Sequence, residues 1–186
     1  MTSQRYIALL RGVNIGRAKR IAMTDLRKLV ENLGYTEVRS LLNSGNVVFN
    51  AVVTADEAAA AIDDALVLRL GIVARVFVLD HDAICAIIDD NPLLEQASDH
   101  ARLFAFFLAG QPEREAAACL CDQDWAPEML ALGRRAAYVW CPEGMLDSAA
   151  AAALGKQLGD ATTSRNWNTM KKLHGLCSDS GRKAAC

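Results

Sequence analysis

The sequence predicts an α+β protein built of two ferredoxin-like βαββαβ halves with antiparallel sheets and an extra C-terminal helix. Two observations predict it. Short apolar runs alternate with helical periodicity in the order strand, helix, strand, strand, helix, strand from Tyr6 to Leu79, and the same order restarts at Leu103. In each half the middle two strands are joined by a tight glycine-containing connection, Asn43-Ser44-Gly45-Asn46 and Gly133-Arg134.

In the first half, Tyr6 to Leu10 is a buried strand closed by Arg11-Gly12. Met23, Leu26, Leu29, Val30 and Leu33 then recur at helical spacing, with Thr24 as the expected cap and Gly34 as the stop. Val38 to Leu42 and Val47 to Phe49 form the hairpin. Thr54 caps a second helix that runs to Leu70 and stops at Gly71, and Arg75 to Leu79 is the fourth strand. In this topology the first two strands run parallel with the third between them, so Arg11 to Arg20 is expected beside Asn43 to Asn46.

An acidic helix follows Asp80 and ends at Asn91-Pro92, where proline stops it. The second half comprises a strand at Leu103 to Leu108, an Ala-rich helix at Pro112 to Cys121, and a hairpin of Met129 to Leu132 with Ala136 to Trp140. Ser148 to Leu158 is its second helix, and a short last strand is expected at Ala161 to Thr163. Arg165-Asn166-Trp167-Asn168-Thr169 introduces the terminal helix. The expected divisions are residues 1–80 for the first half, 81–100 for a helical connection, 101–177 for the second half with its terminal helix, and 178–186 for a frayed tail.

Composition narrows the function classes. The 186 residues are 52% hydrophobic, enough for a sizeable core, and carry a net charge of -2. That balance excludes a generally basic nucleic-acid coat, so any basic function is local. No apolar run reaches the ~18 residues of a membrane span and no secretory pattern opens the chain, so a cytoplasmic protein with reduced thiols and no membrane partner is expected. The six cysteines include no CxxC pair and no Cys/His spacing of zinc type, and neither a metal nor a cofactor is expected. Cys119 and Cys121 read as small residues on a helix.

The chemistry concentrates in three motifs. Leu10 to Arg20 holds Arg11, Arg17, Lys19 and Arg20 with no acid, and Gly12, Asn14 and Gly16 supply adaptable backbone. Bare amides beside cations suit a phosphate or carboxylate at the following helix N-terminus. The loop matches neither GxxxxGK[ST] nor a dinucleotide fingerprint. Ser44, Gly45 and Asn46 add amide and hydroxyl groups beside it, and Arg165, Asn166, Trp167 and Asn168 group polar side chains around one aromatic. Each has a plainer reading: a solvated loop, a tight turn, and a helix cap beside a packed tryptophan. No histidine, acid and nucleophile fall at a recognisable spacing, so no catalytic residue or reaction is identified.

Together, Tyr6 to Gly16, the Met23-x-x-Leu26 helix start, Ser44-Gly45-Asn46-Val47-Val48-Phe49 and Arg165-Asn166-Trp167-Asn168-Thr169 resemble domain-of-unknown-function family 1697. The resemblance implies a bacterial cytoplasmic α+β protein of two ferredoxin-like halves and no established activity. Two positions depart from the family pattern: Arg17 replaces a second glycine, and Ser148-Ala149-Ala150 stands where Ser-Lys-Leu is common. The expected function is binding of a small anionic or phosphorylated ligand in a polar pocket formed by the three motifs. The alternatives are a nucleic-acid module using residues 11–20 with Lys171 and Lys172, which the lack of stacked aromatics on Val47-Val48-Phe49 disfavours, and a structural or partner-binding protein without a ligand.

Overall fold

A computed structural model describes residues 2–13 and 20–178. The chain forms two units, one running to Asp82 and resuming at Leu173, the other spanning Ala83–Lys172.

The first unit contains β1 (Gln4–Arg11), α1 (Met23–Glu31), β2 (Thr36–Leu41), β3 (Asn46–Ala51), α2 (Ala55–Leu70) and β4 (Arg75–Asp80). Its antiparallel sheet has the order β2-β3-β1-β4, as the βαββαβ reading requires. Tyr6, Ala8 and Leu10 join Val47, Phe49 and Val76 in a core with Leu26 and Leu29 of α1 and Ile62 and Leu66 of α2. The alternate residues Ile7, Leu9 and Val48 are buried as well. On their face Arg5 donates through Nη1 to Asn50 Oδ1 at 3.0 Å and through Nη2 to the Leu176 carbonyl at 3.3 Å, tying the end of the terminal helix to the sheet. Burial on both faces is why β1 reads as an unbroken apolar run and not as an alternation.

The helix signals are physical ones. Thr54 and Glu57 form a reciprocal capping box, and Gly71 ends α2 in the left-handed conformation at φ 64°. At α1 the expected Thr24 cap is corrected: the helix begins two residues earlier than that cap implies, with Ala22 at the cap position and no side-chain cap bond from it.

The second unit contains α3 (His81–Asp89), which spans the boundary, β5 (Leu103–Phe107), α4 (Gln111–Cys121), β6 (Met129–Leu132), β7 (Ala136–Trp140), α5 (Ala149–Leu158) and β8 (Ser164–Asn166). Its sheet repeats the order as β6-β7-β5-β8. Phe106, Ala137 and Val139 pack with Ala150, Ala151 and Leu154 of α5. The buried Tyr138 hydroxyl donates to the Ile87 carbonyl at 2.7 Å, and Arg134 grips Asp90 through Nε at 2.6 Å and Nη2 at 2.9 Å. These contacts fasten α3 to the hairpin.

The last strand is displaced from its expected position. Ser164, Arg165 and Asn166 pair with Phe106, Ala105 and Phe104, whereas Gly159–Ala161 is a short 3-10 turn. An edge strand takes its place from its partner's register and can be polar, so its own composition did not mark it. Part of the third motif therefore belongs to the sheet, and α6 (Trp167–Ser178) begins after it.

The sharpest local constraint lies where β1 ends. The Leu10 N–H donates to the Gly45 carbonyl at 2.8 Å, and Gly45 adopts φ 71°. A Cβ on Gly45 would stand 2.7 Å from Val13 Cγ2 and 2.9 Å from Leu10 Cβ. Gly45→Ala thus meets both a left-handed backbone and a steric clash, and is expected to cost about 1–3 kcal/mol, read as a lower denaturation midpoint at unchanged slope.

Candidate functional site

The loop end of the first unit gathers the first two motifs. Gly12 has φ 77° and Leu42 φ 59°, so backbone turns sharply on both sides of the Leu10–Gly45 bond. Asn46 is fully buried, and its Nδ2 donates to the Leu41 carbonyl at 3.0 Å and to Ser44 Oγ at 2.8 Å. Ser44 is exposed and Arg11 is half-buried. The expected neighbourhood of the β1 end and the hairpin is therefore present. Asn14, Gly16, Arg17 and Lys19 lie outside the described residues.

A further cation stands at this end. β1 and β4 pair so that Arg11 lies directly opposite Arg75. Opposed residues of an antiparallel pair share a face, with Cβ atoms about 5 Å apart. The sequence shows Arg75 only as the start of a strand, and the β1–β4 register is what makes it a neighbour of Arg11. Arg27 adds a guanidinium nearby, donating to Ser40 Oγ at 2.7 Å.

The third motif falls in the second unit. Asn166 Oδ1 accepts from the Thr169 N–H at 3.0 Å and its hydroxyl at 2.7 Å, so Asn166 caps α6. Trp167 is buried and packs edge-on against Tyr138, with ring centroids 6.2 Å apart. Arg165 donates through Nη1 to Thr163 Oγ1 at 3.0 Å and to the Ser164 carbonyl at 2.7 Å. Desolvation pushes its guanidinium down to about 10. Asn168 is exposed.

One anion seat of the second unit is filled by the chain's own carboxylate. Glu128 accepts from Ser148 Oγ at 2.6 Å and from the Ala149 and Ala150 amides at 2.9 Å each, at the N-terminus of α5. Ser148 also caps the helix through the Ala151 N–H at 3.0 Å. Desolvation alone would raise the Glu128 pKa, but the bonds from Ser148, Ala150 and Ala149 outweigh it and hold the carboxyl below its ordinary value. Glu128 escaped the sequence reading because it sits 20 residues before Ser148, beyond any local capping pattern.

Among the described residues no group of three or more His, Cys, Asp or Glu side chains is placed to hold a metal ion. Cys119 and Cys121 lie on α4 with their thiols toward the carbonyls of Glu115 and Ala117 one turn earlier. No helix among the described residues is long and apolar enough to cross a membrane.

The Glu128 contact makes a pH prediction. A carboxylate with a lowered folded-state pKa stabilises the fold above the ordinary carboxylate value of about 4.3, and that contribution is lost as pH falls through the lowered value. Glu128→Gln is expected to cost about 1 kcal/mol at neutral pH and to flatten this part of the acid limb in urea denaturation followed across pH.

Comparisons with known proteins agree with this architecture. The conserved bacterial protein SP0830 from Streptococcus pneumoniae has a similar fold, with a TM-score of 0.78 at 23% sequence identity, over 95% of this chain and all of that one. No curated protein matches the chain. The family model described as protein of unknown function (DUF1697) matches residues 3–138. That match spans more than half of the chain and establishes that it belongs to the DUF1697 family.

Proposed function

We propose that the loop end of the first unit binds a small anionic ligand carrying a phosphate or carboxylate group. The observation that carries this reading is the placement of Arg11 opposite Arg75, beside the Ser44-Gly45-Asn46 turn. Two guanidinium groups on directly opposed strand positions repel, at a cost of about 0.2–1 kcal/mol. An anion held between them turns that repulsion into paired charge-assisted hydrogen bonds. Gly12 allows backbone to approach the ligand closely, Ser44 offers an exposed hydroxyl, and buried Asn46 holds the turn in place. α1 starts at the same end, with no side-chain cap among the described residues and with Asp25 already in its first turn to meet part of the dipole's preference for negative charge. Asn14, Gly16, Arg17 and Lys19 complete the residue set proposed for this end.

In the second unit Arg165 is the group best suited to an anion, because a bound negative charge offsets the desolvation that lowers its pKa. Asn166 and Trp167 support it through the cap and the packing described above, and Asn168 presents a second exposed amide.

The test is thermal stabilisation by inorganic phosphate and by a panel of phosphorylated metabolites and nucleotides. A ligand that binds only the folded protein raises the melting temperature by mass action. Arg11→Ala and Arg75→Ala are each expected to weaken binding about tenfold, the worth of one charge-assisted bond. Without ligand, Arg75→Ala is expected to melt at the same temperature or slightly higher, since it removes a like-charge neighbour. Equal stabilisation of wild type and variants, or none in wild type across the panel, rejects the proposal.

A further inference from the structure

We infer that the same end of the first unit docks on an anionic bilayer surface, with its arginines at the headgroups and its exposed aliphatic side chains in the interfacial layer. β1 ends there, β4 begins there, and the β2–β3 hairpin turns there, so α2 also ends there, leading through Gly71 into Arg75. Leu68 is 83% exposed, Val73 66% and Leu42 50%, with Val67 and Leu70 also exposed. Among the described residues these five stand apart from the single remaining large exposed aliphatic between β1 and β4, Val52, which follows the opposite end of β3.

The core does not need them. α2 buries Ala58, Ile62, Ala65 and Leu66, and its exposed positions in the earlier turns are small or acidic, Asp56, Glu57, Ala60 and Asp64 among them. Only the last turn changes character, to Val67-Leu68-Arg69-Leu70. Arg69 and Arg75 thus flank the exposed aliphatics in sequence, and Arg11 and Arg20 lie at the same end. The acids nearest to it in the chain are Asp25, Glu37, Asp64 and Asp80, of which Glu37 and Asp80 lie toward the far ends of β2 and β4.

Exposed aliphatic side chains and guanidinium groups gathered at one end of a sheet are complementary to an anionic lipid surface. Each cation near such a surface is attracted to it, and Leu and Val side chains reach the boundary between headgroups and acyl chains. The chain as a whole carries a net charge of -2 and would otherwise be repelled, so the basic end also sets the orientation. The sequence expectation of no membrane partner rested on the lack of a spanning run, and surface docking needs no span. The inference shares Arg11 and Arg75 with the proposed anion site and extends beyond it to the aliphatic side chains.

Co-sedimentation of the full chain with vesicles tests it, using phosphatidylcholine alone and an equal mixture with phosphatidylglycerol. Binding to the mixed vesicles at low salt, weak binding to the neutral ones, and weakening by added salt are expected. The double variant Leu68→Asp/Val73→Asp changes two highly exposed positions, so it is expected to melt like wild type while losing about tenfold or more in vesicle affinity. It retains every arginine, so its stabilisation by inorganic phosphate is expected to be unchanged. That separates failure of this inference from failure of the anion site. No sedimentation at low salt, equal affinity for both vesicle types, or unchanged affinity in the double variant overturns it. So does selective binding of a soluble acidic amphipathic peptide at Leu68 and Val73, which would assign this end to a protein partner.

Discussion

β1 is hydrogen-bonded along both edges and buried on both faces, and its register determines what meets at each end of the first sheet. A shift of one residue would turn Tyr6, Ala8 and Leu10 away from α1 and α2, exchanging the whole core face for the other. Gly45 pins this register at the loop end, because only a residue without Cβ fits against Leu10 and Val13. On the other edge of β1 the β1–β4 register sets Arg11 against Arg75. The apolar demands of the core and the placement of the cations are thus one constraint, expressed at two positions of a single strand.

The two units share a strand order but treat their helix termini differently. In the second, Glu128 supplies a negative group to the start of α5 from within the chain, and Ser148 completes the cap. In the first, α1 starts from Ala22 with no side-chain cap among the described residues and with Asp25 in its first turn, at the end where Arg11 and Arg75 meet. A helix start supplied with an internal carboxylate has little capacity left for an external one. What distinguishes the first unit is the Arg11–Arg75 pairing, because its helix start also carries an acid, Asp25.

What the sequence revealed followed the range of the interactions involved. The capping box of Thr54 and Glu57, the stop at Gly71 and the Ser44-Gly45-Asn46 turn are local, and residue type with spacing is enough to find them. Their meeting with the end of β1 was legible too, because the βαββαβ topology dictates it. β8 was misplaced because a polar edge strand is positioned by β5 and not by its own residues. Arg75 and Glu128 went unnoticed for a related reason. Their roles depend on a cross-strand register and on a contact 20 residues away in sequence, neither of which leaves a pattern in adjacent residues. Asn166 was legible as a polar residue before a helix, and its bonds to Thr169 give it the capping role that composition allowed.

Phosphate binding distinguishes an Arg11–Arg75 pair acting as one anion site from two independent cations. The most direct measurement is a titration of the labelled protein with inorganic phosphate, following the arginine side-chain Nε–H resonances by NMR. If the two act as one pair, the Arg11 and Arg75 signals move together along one saturable curve, while that of Arg134, engaged with Asp90 in the second unit, stays in place. Stationary Arg11 and Arg75 signals, or signals that saturate at different phosphate concentrations, would contradict it.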